Sequence, residues 1–210
     1  MIPQSVLVDL VSASYDPIRP DTFEPILFSG DAVACLKQID DTLTISIPGT
    51  ENLANVMTDI DIERFDHPVL GSLHAGFWRP IQGMGEALLP KLKEAKKISI
   101  AGHSEGAARA ALLAAWCYLN GIQVDQLSLY ACPRPGFLKL SIILQSHVEN
   151  ALSFHNGIDP VPSVPLFPYN DPLPKIRLGM APGGLDDIDP VAWHSMNLYR
   201  LGVTQWEQTK

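Results

Sequence analysis

Long apolar runs are missing from this 210-residue chain: none approaches the roughly 18 residues a membrane-spanning helix requires, so it does not read as an integral membrane protein. Basic clusters are also missing. With 15 Lys and Arg against 23 Asp and Glu, the net charge is −8, and no Lys/Arg block offers the face that nucleic-acid phosphates need. The N-terminus, MIPQSVLVDLVSASYD, has no basic residue ahead of its apolar ones and no long apolar core, so it does not read as a secretory signal. A soluble, cytoplasmic protein is the resulting expectation. Cysteine is scarce: Cys35, Cys117 and Cys132 form neither an even disulfide set nor a metal-like spacing, which predicts reduced structural thiols.

What is present alternates. After an apolar N-terminal segment, two β-favouring runs, 32–37 and 42–47, flank the turn QIDD and predict a hairpin. Leu53, Val56, Met57 and Ile60 share a helical spacing, followed by a loop with Asp66, His67 and Pro68. A helical pattern over 80–96 should be interrupted or kinked by Pro90, which lacks the amide hydrogen of the helical ladder. Then come a strand (97–101), an apolar helix (106–119) closed by Asn120-Gly121, a strand (126–131), a helix (137–148) and a strand (151–155). Strands alternating with helices predict one α/β domain over 1–210, with a mainly parallel sheet covered by helices on both faces. Residues 156–193 carry eight prolines and read as a stiff surface excursion, with 175–179 as an edge strand.

At the join of the 97–101 strand and the 106–119 helix stands Gly102-His103-Ser104-Glu105-Gly106. The pattern G-x-S-x-G arises by chance in about one chain in fifteen of this length, so its context decides. A strand running into a helix through a glycine-flanked serine is the setting that lifts the hydroxyl clear of a sheet. The plainer alternative is that Ser104 only caps the helix. As a nucleophile it needs an imidazole base and a carboxylate to orient that base. Of the histidines beyond Ser104, His147 lies in a helix and His155 ends a strand, whereas His194 follows the proline-rich excursion near the C-terminus. Among Asp125, Asp159, Asp171, Asp186, Asp187 and Asp189, only Asp159 follows a sheet strand by a short loop. The chain order Ser104, Asp159, His194 is that of α/β-hydrolases.

Several ordered motifs resemble the class 3 (fungal-type) lipase family of α/β-hydrolases over Ala32 to Tyr199. They are Gly49-Thr50 with Asn52, Asn55 and Asp59; Leu73-His74-Ala75-Gly76-Phe77; the Ser104 pentapeptide; Pro133-Arg134-Pro135-Gly136; Asn156 to Pro162; and His194 with Tyr199. The resemblance implies a single-domain α/β-hydrolase fold and a Ser104, Asp159, His194 triad. It also implies an oxyanion hole from the Thr50 and Glu105 backbone amides, with His74 and His103 serving the scaffold. The function it implies is a serine carboxylic ester hydrolase working through an acyl-enzyme without metal or organic cofactor, on a small ester or lipid substrate. Transient contact with a lipid surface fits that reading. A phospholipase or acyltransferase on the same fold, or a non-catalytic hydrolase-like binding protein, are the alternatives. Four positions depart from the family: Pro48 replaces an Arg, Val56 a Trp, Ala107 a second glycine, and Glu105 an apolar or neutral residue after the serine. A Glu105 carboxylate leaning into the site would disfavour anionic substrates. Residues 51–65 carry the apolar stripe of either a lid or an ordinary packed helix, and Phe167 and Tyr169 offer either an acyl wall or packing.

Overall fold

The computed structural model describes residues 1–16, 23–30, 32–50, 63–180 and 192–210. Its centre is a seven-stranded sheet of β1 (Glu24–Ser29), β2 (Ala32–Ile39), β3 (Thr42–Ile47), β6 (Lys97–His103), β7 (Gln126–Tyr130), β8 (Asn150–Asn156) and β9 (Lys175–Leu178), in that spatial order. The first three strands pair antiparallel, and β3, β6, β7, β8 and β9 then run parallel. The predicted hairpin is β2–β3, turning at Asp40 with φ 49°. The edge strand at 175–179 is β9. Strand β1 has no counterpart in the sequence reading, because Pro25 and its irregular pairing near Glu24 blur the alternation.

Two further strands, β4 (Arg64–His67) and β5 (Gly71–His74), make a separate hairpin. Asp66 and His67 are therefore in a strand rather than the expected loop. Ser72 Oγ donates to Asp66 and the Val69 and Leu70 amides donate to His67 Nδ1, closing the turn with side chains whose pattern the sequence leaves ambiguous. The 53–60 helix lies outside the described residues.

Helices α1 (Gln4–Ala13) and α5 (Met196–Gln208) cover one face of the sheet; α2 (Ala75–Glu94), α3 (Glu105–Leu119) and α4 (Leu138–His147) cover the other. Alternation along the strands explains the division. Leu43, Ile45, Ile47, Ile98, Ile100, Leu127 and Leu129 point towards α3, whose Gly106–Ala115 run is buried all round. Thr44, Ser46, Ser99, Ala101, Ser128 and Tyr130 alternate with them and point to α1 and α5. Helix α2 starts before residue 80 and runs unbroken through Pro80 and Pro90. Pro90 and Glu86, whose carbonyl loses its partner, are both exposed, so water replaces the missing bond. All three cysteines are buried and free.

Helix α1 is held at its start by long-range bonds. The Glu207 carboxylate of α5 accepts the amides of Gln4 (2.6 Å) and Ser5 (3.0 Å), while Gln126 at the head of β7 exchanges two hydrogen bonds with Ile2. Ten helical residues span about 15 Å, close to the length of a five-residue strand. Helix α1 therefore begins at the amino end of β7 and delivers Tyr15 to the carboxyl edge of the sheet.

Candidate active site

The candidate residues collect at that carboxyl edge, where open parallel sheets hold their ligands. Ser104 links β6 directly to α3 at φ 58°, ψ −131°, a conformation costly to any residue bearing a Cβ. Backbone crowding dictates its glycines: a Cβ on Gly102 would strike the Gly106 carbonyl, and one on Gly106 the carbonyls of Ile47 and Pro48. The serine makes no side-chain cap to α3, so the capping alternative finds no support. Its hydroxyl is buried and has no hydrogen-bond partner among the described residues.

The register Ile47↔Gly102 sets the β3 loop beside the serine. A Cβ on Gly49 would lie 2.7 Å from Ser104 Cβ, so only glycine lets this backbone pass. Thr50 follows it, exposed at the mouth of the turn, and Glu105 opens α3, where helical geometry supplies first-turn amides with no acceptor inside the helix.

Asp159 sits three residues past β8, wholly buried apart from a 2% residual exposure. His194 Nδ1 lies 3.0 and 2.9 Å from its two carboxylate oxygens. The Tyr199 hydroxyl donates to Oδ2 at 2.7 Å and the Val161 amide to Oδ1 at 3.0 Å. Burial, then the Asp159 charge, hold the Tyr199 phenol's pKa well above 10.0, so it stays a donor. Because the carboxylate can only accept, the imidazole carries its proton on Nδ1. His194 Nε2 is then a lone pair, buried and, like Ser104 Oγ, without a partner among the described residues. Asn156 braces the histidine turn from β8: its Nδ2 donates to the carbonyls of Met180 and Trp193, and its Oδ1 accepts the Met180 amide.

The two competing carboxylates among the described residues are engaged elsewhere. Asp125 accepts the Ile98 amide, and Asp171 pairs with Arg134 and Lys175; Asp186, Asp187 and Asp189 lie outside the described residues, as do Asn52, Asn55, Val56 and Asp59. His147 bonds the Ile122 carbonyl and His155 that of Asp159. His74 caps α2 and stacks on Phe77. Among the described residues no group of three or more His, Cys, Asp or Glu is placed to hold a metal ion, and no helix is long and apolar enough to cross a membrane.

The family model for class 3 lipases matches residues 44–169, well over half of the chain. The chain belongs to the class 3 lipase family. Solved structures agree on the fold of this family member. Rhizomucor miehei triacylglyceride lipase matches with a TM-score of 0.67 at 20% identity, covering 79% of this chain and 76% of that one. The Penicillium cyclopium protein MDLA matches at 0.69 and 19%, covering 86% and 78%. The mono- and diacylglycerol lipase of Aspergillus oryzae matches at 0.67 and 23%, covering 77% and 65%. The chain thus spans less than two thirds of the Aspergillus protein's length. No curated protein sequence matches it.

Three features of the site have only weak sequence signals. Tyr15 belongs to no motif. Arg109 is legible only as the i+4 partner of Glu105, with which it pairs at 2.6 Å; the acid therefore turns along its own helix. Tyr199 matches the family pattern, but its bond to Asp159 does not follow from spacing. Of the proposed acyl-wall residues, Tyr169 is buried against Phe137 and His74, whereas Phe167 is 89% exposed.

Proposed function

We propose that this member of the class 3 lipase family is a serine carboxylic ester hydrolase with Ser104 as nucleophile, His194 as base and Asp159 as orienting acid. The observation that carries the reading is the buried His194–Asp159 pair, which leaves His194 Nε2 as an acceptor, together with an uncapped Ser104 on the strained turn. His194 takes the hydroxyl proton as Ser104 Oγ attacks the ester carbonyl, and the developing imidazolium is stabilised by Asp159. The Thr50 and Glu105 amides receive the oxyanion at the head of α3, where the helix dipole favours negative charge. Collapse of the tetrahedral adduct passes the proton from His194 to the departing alcohol. Water, deprotonated by the same imidazole, then releases the acid. One structure of the same fold, matching with a TM-score of 0.62, is of a triacylglycerol lipase whose catalytic centre is formed by a serine protease triad.

A lipid ester is the proposed substrate class. Leu166 and Phe167 are 72% and 89% exposed, and Ile158 stands one residue from Asp159, which supports brief contact with a lipid surface beside the site. Arg134 fixes this rim: its amide donates to the Val164 carbonyl and its guanidinium to the Pro165 carbonyl and Asp171.

The test is a fluorophosphonate probe combined with acyl esters of graded chain length. Wild type should label once and release acid, and Ser104→Ala should do neither. Labelling that persists in Ser104→Ala, or a wild type that neither labels nor hydrolyses any ester, overturns the reading.

A further inference from the structure

Tyr15, the second residue beyond α1, lies outside the residues 44–169 that the family model matches, yet its hydroxyl is 2.6 Å from His103 Nδ1 and 3.0 Å from the Gly49 amide. His103 Nε2 is 3.1 Å from the backbone carbonyl of His194. These three bonds join the loop before Thr50 to the backbone of the proposed base, passing through the residue that precedes the nucleophile.

Their direction follows from elementary constraints. A carbonyl oxygen only accepts, so the His103 proton is on Nε2. Complete burial, with the adjacent His194 second, holds the His103 pKa well below 6.5, so the ring is neutral and Nδ1 has no hydrogen. Nδ1 must therefore accept, and Tyr15 must donate. The phenol pKa is pushed up to about 12, chiefly by burial, so that proton is retained. The Tyr15 oxygen is then free to accept the Gly49 N–H. Each link has one permitted orientation, which a chain of hydroxyls alone would lack.

We propose that Tyr15 is a positioning residue of the active site, holding the Thr50 loop and the His194 backbone in mutual register through His103. The inference rests on the roles given above to Ser104, Thr50 and His194. The loop leaves the sheet after Ile47, so beyond that residue strand pairing no longer orients it. Gly49 passes against both Ser104 Cβ and the Tyr15 hydroxyl with no room for a Cβ, and that contact leaves its peptide little freedom. On the other side, the His103 ring lies 4.7 Å from the His194 ring and 5.4 Å from that of Tyr199, so a rotation of His103 would displace the base as well. The N-terminal helix thereby becomes a structural part of the site: its anchoring to Glu207 and Gln126 is what brings Tyr15 to the sheet edge.

The decisive variant is Tyr15→Phe, which keeps the ring and removes only the hydroxyl. For a group that orients an oxyanion donor without touching the substrate, kcat should fall about 10- to 100-fold while KM stays within about threefold. His103→Ala should lose a similar factor, and the double variant should lose no more than the worse single one, because both interrupt one chain. A Tyr15→Phe kcat within about twofold of wild type, a loss confined to KM, or fully multiplicative losses in the double variant would each overturn the proposal. A second measurement needs no variant to fold: ¹⁵N NMR of wild-type His103 should show a protonated Nε2 and an accepting Nδ1, and the opposite tautomer overturns the relay. Wild type that fails to label with fluorophosphonate defeats the hydrolase reading instead, which separates the two failures.

Discussion

Glu105 and Arg109 form an ion pair of 2.6 Å across the first turn of α3, directly after the candidate nucleophile, with side chains only 13% and 3% exposed. The pairing turns the carboxylate along α3 and sets a positive charge against it. Removing one member takes this ion-pair partner from the other, whereas removing both takes the two charges away together. Arg109→Met should therefore cost about 3–5 kcal/mol, and Glu105→Gln with Arg109→Met distinctly less. Urea unfolding midpoints check this, and a double variant as unstable as the single one would contradict it. With its charge compensated, Glu105 should discriminate little against anionic esters. Relative kcat/KM for neutral and carboxylate-bearing substrates should change by no more than about threefold when both charges are removed together in Glu105→Gln with Arg109→Met.

Asp159 fixes the tautomer of His194, and an amide in its place can donate to Nδ1 and move the imidazole proton to Nε2. Asp159→Asn should lower kcat by about 10³- to 10⁴-fold with little change in KM. Steady-state hydrolysis of a soluble ester measures it. A loss below about tenfold would remove Asp159 from its assigned role.

Gly106 separates two steric expectations. In an unconstrained helix Gly→Ala gains about 0.5–1 kcal/mol. Here the new methyl meets the Ile47 carbonyl at the end of β3 and the Pro48 carbonyl just beyond it, backbone atoms with no side-chain freedom to turn away. Gly106→Ala should instead cost about 1–3 kcal/mol and abolish fluorophosphonate labelling as the turn shifts. Thermal unfolding and labelling together test the claim.

Acid should destabilise the fold through His103. Its folded pKa lies well below 6.5, mainly because the ring is buried, so below about pH 6.5 the unfolded chain binds a proton that the folded chain refuses. Stability is complete above that pH and falls as pH drops. His67 and His155 shift the same way through burial, so His103→Gln should flatten the decline in Tm between about pH 7 and 5 without removing it. Burial works against ionised Asp171 and Glu207, but Lys175 and Arg134 in the first case, and Ser5 and the Gln4 amide in the second, hold their pKa values below 3.8 and 4.5. Their loss of stabilisation therefore falls at lower pH.

The rim should distinguish aggregated from dissolved substrates. Transferring a Phe side chain into an apolar phase gains about 1.5–3 kcal/mol, so Phe167→Ser should slow hydrolysis of emulsified long-chain esters about tenfold. Hydrolysis of a short soluble ester should stay within about twofold, since Phe167 is 89% exposed and packs against little. Equal losses on both substrates would assign the residue to folding instead.

Much of this arrangement is written locally. The β2–β3 hairpin, β6, α3, β7, α4 and β8 follow from apolar alternation, helical spacing and the Asn120-Gly121 stop, all short-range signals. The weak points are equally physical. Helix α2 continues through Pro80 and Pro90 because packing of Phe77, Trp78, Ile81, Met84 and Leu88 outweighs two missing ladder bonds. Strand β4 forms because its turn is closed by Asp66, His67 and Ser72 side chains, chemistry that reads equally well as a loop.

By itself the sequence determined which residues were eligible: a serine between glycines that crowding makes obligatory, a carboxylate just past a strand, and a histidine after the last excursion. Each rests on steric or periodic rules that act over a few residues. Tertiary structure alone decided how they are held. Tyr15 meets His103 across 88 positions, Tyr199 meets Asp159 across 40, and Glu207 caps α1 across more than 200. Such bonds depend on how helices dock on the sheet and on which donors burial leaves unsatisfied, and no local pattern in the chain encodes either.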